Sequence, residues 1–300
     1  SAQKHVTGAA IYVDDIETPE KTLHAYLGFS DCTHGLITSI DLDEVRSVPG
    51  VVDVFTANAI PGLNDISPTG KMDEPILAEK KVSFWGQPIF VVVAESRSIA
   101  RYAARKGNVR YEKLDYILDI EDAQKADEHL VTSPMTLIRG NVSEALEKSS
   151  HRLKGQIEIG GQDHFYLEGQ IALAIPWEDN DIEIVSSTQH PSEVQHMVAV
   201  ALNISSNRVT VQVRRMGGAF GGKETQSNQF AVIAALAASR NQLPVKIRLD
   251  RDDDMICTGK RHDFLAFYDV GFDGSGRITG LDVELRARCG FSADLSGPVT

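Results

Sequence analysis

Four glycines fall within six residues, at Gly217, Gly218, Gly221 and Gly222, and the pattern of the chain changes across them. Upstream, Arg208-Val209-Thr210-Val211-Gln212-Val213 alternates and is rich in β-branched side chains, which predicts a strand over 208–214. Downstream, residues 230–238 are uniformly apolar and alanine-rich, which predicts a buried helix within 224–240. A tight turn between the two needs about two glycines for positive φ, so four of them around Phe220 point to a ligand as well. A glycine-rich turn entering a helix presents unpaired N–H groups and the positive end of the helix dipole. An anionic cofactor is expected there.

Two nucleotide motifs come close to this loop. Gly217 through Lys223 fits G-x-x-x-x-G-K, the first seven positions of a P-loop, but position eight is Glu224 rather than Ser or Thr. A carboxylate there would repel phosphate, and Thr225 follows one residue too late. The G-x-G-x-x-G dinucleotide pattern is absent, because the glycines come in adjacent pairs. A non-catalytic nucleotide-binding module remains an alternative from another functional class.

The rest of the chain predicts a mixed α+β protein in two parts. Residues 1–20 read as an extended lead-in, 21–120 as a small α/β domain, 121–140 as a polar linker and 141–300 as part of a second domain. Strands are expected at 51–55, 89–94, 108–112, 181–187 and 245–250, with helices at 98–105, 141–147 and 192–202. Two longer strands, 264–272 and 278–288, flank a turn at Asp273-Gly274-Ser275-Gly276. A net charge of -12 argues against a nucleic-acid-binding surface. Cys32, Cys257 and Cys289 form no C-x-x-C, so no zinc or iron–sulfur site is legible and reduced, mostly buried thiols of a cytoplasmic protein are expected. Nothing reads as a membrane span or a secretion signal. The acidic run Asp250-Arg251-Asp252-Asp253-Asp254 lacks the glycine and distal glutamate of an EF-hand loop, and helix capping with a solvated face is expected of it.

The segment from Arg215 to Glu224 resembles the molybdopterin-binding run of the xanthine dehydrogenase and aldehyde oxidase family, the molybdenum hydroxylases. Further segments in order carry the same likeness: Val6 to Asp15, Gly86 to Ile89 with Val91 to Glu95, Gly161 to Glu168, Ser187-Thr188-Gln189, Leu249 to Met255, and Gly259 to His262. The resemblance is strongest to the bacterial-type xanthine dehydrogenase molybdenum-binding subunit and covers essentially the whole chain. It implies a hammerhead-like small domain followed by a truncated first part of the molybdopterin-binding domain.

The resemblance also implies site roles. The cofactor would be a molybdenum held by a pterin dithiolene, with no direct side-chain ligand from the protein. Gln189 would hydrogen-bond an oxygen on the metal, and the backbone N–H groups of Phe220 and Gly221 would face the same oxygens. Gln189 and Phe220 would thus serve the metal through its oxygen ligands. Gly217, Gly218 and Ala219 would let the pterin pass close. Glu224 would bind a purine and stabilise charge on its ring in the transition state, whereas aldehyde-oxidising relatives tend to be apolar there. Read from the residues alone, Gln189 is a glutamine ending a strand, and Glu224 an acid complementing a helix dipole. His164 and His190 are taken as structural.

Relatives in this family run far longer. Their general base, a glutamate near the far C-terminus, and a substrate-orienting arginine expected shortly after a segment like Asp294-Leu295-Ser296 have no counterpart here. The chain reads as an N-terminal fragment, inactive and without cofactor when isolated. Its parent would oxidise hypoxanthine and xanthine with water-derived oxygen. Its partners would be the purine, the remainder of the molybdenum-binding domain, and domains or subunits carrying iron–sulfur clusters and FAD that pass electrons to NAD; nucleic acid and membrane are not among them. An aldehyde oxidase-like hydroxylase is the alternative within the class, and a purely structural docking module a further one outside it.

Overall fold

The computed structural model describes residues 2–126 and 131–300; Ser1 of the expected lead-in and residues 127–130 of the expected linker lie outside the described residues. The strands run in order as β1 Leu23–Phe29, β2 Gly35–Asp41, β3 Val51–Thr56, β4 Lys81–Val82, β5 Pro88–Ala94 and β6 Asn108–Lys113. They continue as β7 His151–Ile159, β8 Ile171–Pro176, β9 Ile182–Ser186, β10 Val209–Gln212, β11 Val245–Arg248, β12 Phe264–Phe272 and β13 Ile278–Ala287. Within the expected lead-in, Ala2–Val6 is a short helix, and within the expected linker Ile120–Lys125 is another, capped by the Asp119 side chain. The chain divides into two compact units, residues 1–116 with 164–259, and residues 117–163 with 260–300.

The larger unit is built on a seven-stranded mixed sheet of order β10-β9-β8-β11-β1-β5-β3, with β10–β9 and β11–β1 parallel. Its logic is clearest at β5, whose continuous apolar run is buried at every position. Val91 and Val93 enter one core while Val92 and Ala94 enter a second, as the two-residue period requires of a strand covered on both faces. Helix Arg97–Ala104, capped by Ser96, lines the second core with Ala100 and Ala103. The first core is filled by helices Pro191–Leu202 and Ser227–Asn241. Residues 230–238 of the latter are buried all round, and such a helix belongs in an interior rather than on a surface. A separate sheet, β4-β2-β6, completes this unit.

Several expected elements are shorter than the pattern suggested, among them the two that flank the glycine loop. The strand over 208–214 is confined to Val209–Gln212, and the helix over 224–240 begins at Ser227. The cause of the second lies at Lys223. Its carbonyl accepts the Gln189 N–H at 2.9 Å and the Ser227 hydroxyl at 3.0 Å, so it does not start the helical ladder. Glu224 therefore stands outside the helix, and its reading as a first-turn acid is withdrawn.

The smaller unit is the antiparallel sheet β13-β12-β7 with helix Val142–Lys148 against Gly271 and Gly280. The register places Leu153, Ile157, Val270, Leu281, Val283 and Leu285 on the opposite face. On that face Leu153, Ile157, Leu281, Val283 and Leu285 are exposed, Leu285 at 61%, while Val270 is half-buried.

Candidate functional site

Three segments of the larger unit converge on the glycine loop: residues 164–170, the end of β9 through Gln189, and residues 216–224. Gln189 follows β9 and folds against the loop reciprocally. Its N–H donates to the Lys223 carbonyl at 2.9 Å, and its Oε1 accepts the N–H groups of Gly221 at 3.0 Å and Lys223 at 3.3 Å. Because the carboxamide oxygen is used inward, Nε2 is the end of the side chain left to donate outward. In this structure the Gly221 N–H is turned toward Gln189.

Each of the four glycines has a reason internal to the fold. Gly218 and Gly221 have φ of +97° and +95°. A Cβ on Gly217 would lie 2.6 Å from the Glu168 Cβ, and one on Gly222 2.7 Å from the His164 ring and 2.8 Å from Tyr166. Glycine density thus follows from packing on the 164–168 segment at Gly217 and Gly222 and from positive φ at Gly218 and Gly221, and does not by itself report a ligand. The His164 ring lies close to Gly222, and His190 faces Glu193 at 3.3 Å.

What does point to a ligand is the crest of the loop. Phe220 is held at φ +56° and is 76% exposed, a conformation that disfavours a bulky side chain. The N–H groups of Gly218, Ala219 and Phe220 have no hydrogen-bond partner among the described residues. Positive φ at Gly218, Phe220 and Gly221, interrupted at Ala219, gives an alternation of hand like that of anion-binding backbone concavities. At Gly221 a Cβ would meet only His164, at 3.8 Å, so that side of the loop is open. These donors, with Gln189 Nε2, fit a group rich in oxygen acceptors.

Beneath the crest lies a buried polar network that the sequence reading passed over. Lys223 is fully buried. Its ammonium donates to Ser187 Oγ at 2.7 Å and lies 3.5 Å from Glu168 Oε2 and 4.6 Å from the centre of the Tyr166 ring. Glu168 Oε2 also accepts from Ser187 Oγ at 2.6 Å and from the Gly217 N–H at 2.8 Å. Burial pulls the Lys223 pKa below the usual lysine value, with Glu168 opposing. A lysine so placed cannot reach a phosphate outside, which removes the P-loop reading. Glu224, its neighbour, is exposed, and its carboxylate bonds to nothing among the described residues.

The acidic run also departs from expectation. Asp254 is 2% exposed and accepts the Tyr166 hydroxyl at 2.6 Å and the Gln170 N–H at 3.1 Å. Asp253 accepts the Tyr26 hydroxyl, and Asp250 pairs with Arg97 and Arg101. Asp250 occupies the N-cap of helix Arg251–Cys257 but makes no side-chain cap bond. Of the acidic residues in this run, only Asp252 is exposed. Among the described residues, no group of three or more His, Cys, Asp or Glu could hold a metal ion, and no helix is long and apolar enough to cross a membrane.

Residues 123–300 match a family described as the molybdopterin cofactor-binding domain, and residues 7–115 match the aldehyde oxidase and xanthine dehydrogenase a/b hammerhead domain. The chain is 43% identical to a xanthine dehydrogenase of Oryza sativa subsp. japonica and 43% identical to aldehyde oxidase 2 of Rattus norvegicus. Each match covers 100% of this chain and 22% of the relative. Among solved structures it resembles the aldehyde oxidoreductase of Desulfovibrio gigas, with a TM-score of 0.81 at 26% identity, over 95% of this chain and 33% of that one.

Proposed function

This chain belongs to the aldehyde oxidase and xanthine dehydrogenase family, and from that premise we propose that the protein it represents is a molybdenum hydroxylase of purines. In this reading hypoxanthine and xanthine are the substrates. Gln189 Nε2 and the Phe220 N–H donate to oxygens on the metal, while Gly218, Ala219 and the open side of Gly221 receive the pterin. Gly217 acts by packing against Glu168. Bound there, a molybdenum–pterin group would supply a two-electron acceptor and water-derived oxygen.

The observation that carries the substrate assignment is Glu224, whose carboxylate is exposed and unpartnered one residue from a lysine that is fully buried. A carboxyl group so presented can hydrogen-bond a purine nitrogen or oxygen and stabilise charge gathering on the ring. In this reading the general base lies outside this chain, which spans 22% of the length of the curated relatives it matches. Electron transfer to iron–sulfur, FAD and NAD partners, and a cytoplasmic location, belong to the same reading.

Equal identity to a xanthine dehydrogenase and an aldehyde oxidase favours a second reading, an aldehyde hydroxylase. Glu224→Ala in the whole protein separates them. For a purine enzyme, kcat/KM on xanthine falls by about a hundredfold or more while turnover of a small aldehyde persists. An unchanged xanthine rate overturns the purine assignment. The molybdenum-to-protein ratio of the natural gene product tests the hydroxylase reading itself, which a metal-free product would sink.

A further inference from the structure

We propose that Lys223 and Glu168 are positioning residues that set the orientation of the Gln189 carboxamide. The backbone of Lys223 holds Gln189 from two sides, donating its N–H to Oε1 and accepting the Gln189 N–H at its carbonyl. Thr188 Oγ1 and Ser227 Oγ donate to the same carbonyl, at 3.3 and 3.0 Å. That backbone is in turn fixed by its own side chain. The ammonium is anchored on Ser187 Oγ and Glu168 Oε2, over a Tyr166 ring that Asp254 holds from the other side. Glu168 Oε2 ties in the opposite end of the loop through the Gly217 N–H, and the Glu168 N–H donates to the Gly217 carbonyl at 3.1 Å. One oxygen of this largely buried carboxylate therefore gathers both ends of the loop and the hydroxyl two residues before Gln189.

Stability alone is a poor account of this pair. A buried ion pair is often replaceable by apolar side chains with no loss, because desolvation offsets the attraction. Its effect here is geometric. With the Lys223 backbone anchored, Gln189 Oε1 is used inward and Nε2 faces outward as a fixed donor. The inference rests on the proposed function only for what that donor serves; the orientation itself belongs to this chain.

The test is hydrogen exchange on the natural full-length polypeptide, comparing peptides covering 187–190 and 216–225 with core peptides covering 88–94 and 230–238. In Lys223→Met, exchange in the first two regions should accelerate about tenfold while the core is unchanged, the signature of local rather than global opening. Glu168→Gln keeps one acceptor oxygen for Gly217 and Ser187 but removes the charge, so a smaller acceleration in the same two regions is expected. The double variant should be no worse than Lys223→Met alone. Acceleration of site and core by the same factor means a purely structural pair and overturns the proposal, as does no acceleration in either single variant. Ser187→Ala, which removes the hydroxyl between the charges, provides the same readout should Lys223→Met not fold. Exchange requires no bound metal, so a metal-free natural product would sink the hydroxylase reading and leave this result standing.

Discussion

Gly217 and Glu168 exchange two hydrogen bonds: the Glu168 N–H donates to the Gly217 carbonyl at 3.1 Å, and the Gly217 N–H donates to the Glu168 carboxylate at 2.8 Å. No side chain fits between them, since a Cβ on Gly217 would stand 2.6 Å from the Glu168 Cβ. Gly217→Ala should destabilise the protein by about 1–3 kcal/mol through overpacking and loss of this exchange, read as a lower urea midpoint at unchanged m.

Glu224→Ala should leave stability within about 0.5 kcal/mol of the parent, because its carboxylate is exposed and has no partner to lose. Denaturation of this variant beside the activity comparison separates a substrate effect from a folding one. A large loss of stability would show that Glu224 holds the loop.

Asp254→Ala should be among the most damaging single changes. It leaves the Tyr166 hydroxyl and the Gln170 N–H buried without their acceptor, at roughly 2–4 kcal/mol together. The loosened Tyr166 ring also lies over Lys223, so the loss should appear in loop hydrogen exchange as well as in the urea midpoint.

Stability should decline below about pH 4. Burial pushes the Asp250 carboxyl up, but Arg97, Arg101 and Arg248 outweigh it and hold its pKa below the ordinary aspartate value. A folded pKa below the unfolded one gives stability that is complete above the unfolded value and is lost as pH falls through the folded value. Asp14, paired with Lys246 and Arg248, acts in the same direction. Asp250→Asn should therefore cost more at pH 6 than at pH 3, by about 1 kcal/mol or less for pairs this exposed. A cost independent of pH would refute the assignment.

Leu285→Thr, on the open face of β13-β12-β7, should change stability by less than about 0.5 kcal/mol, whereas Val92→Thr in β5 should cost several times as much. Equal costs would mean that the open face is covered in solution.

Much of this fold is legible along the chain. The apolar run 89–94, the alanine-rich helix around 230–238 and the paired strands about Asp273-Gly274-Ser275-Gly276 each carry their own period. Strands β1, β2, β4, β7 and β8 were passed over. In β7, Gly155 and charged residues dilute the alternation, and pairing with β12 supplies what local propensity does not. Gln189, Phe220 and Glu224 stood out by resemblance, whereas Lys223 looked like part of a phosphate motif and Glu168 like the end of a segment.

The sequence by itself determined where the backbone could turn with positive φ and which segments had to be buried on one face or both. Those properties depend on a missing Cβ and on spacing between near neighbours, so they can be read locally. Only the tertiary structure decided that Lys223 points inward to Glu168, 55 residues away, and that Gln189 turns its oxygen toward Gly221. A charge or an amide takes whichever partner leaves the fewest buried groups unsatisfied, and those partners exist only once distant segments have packed.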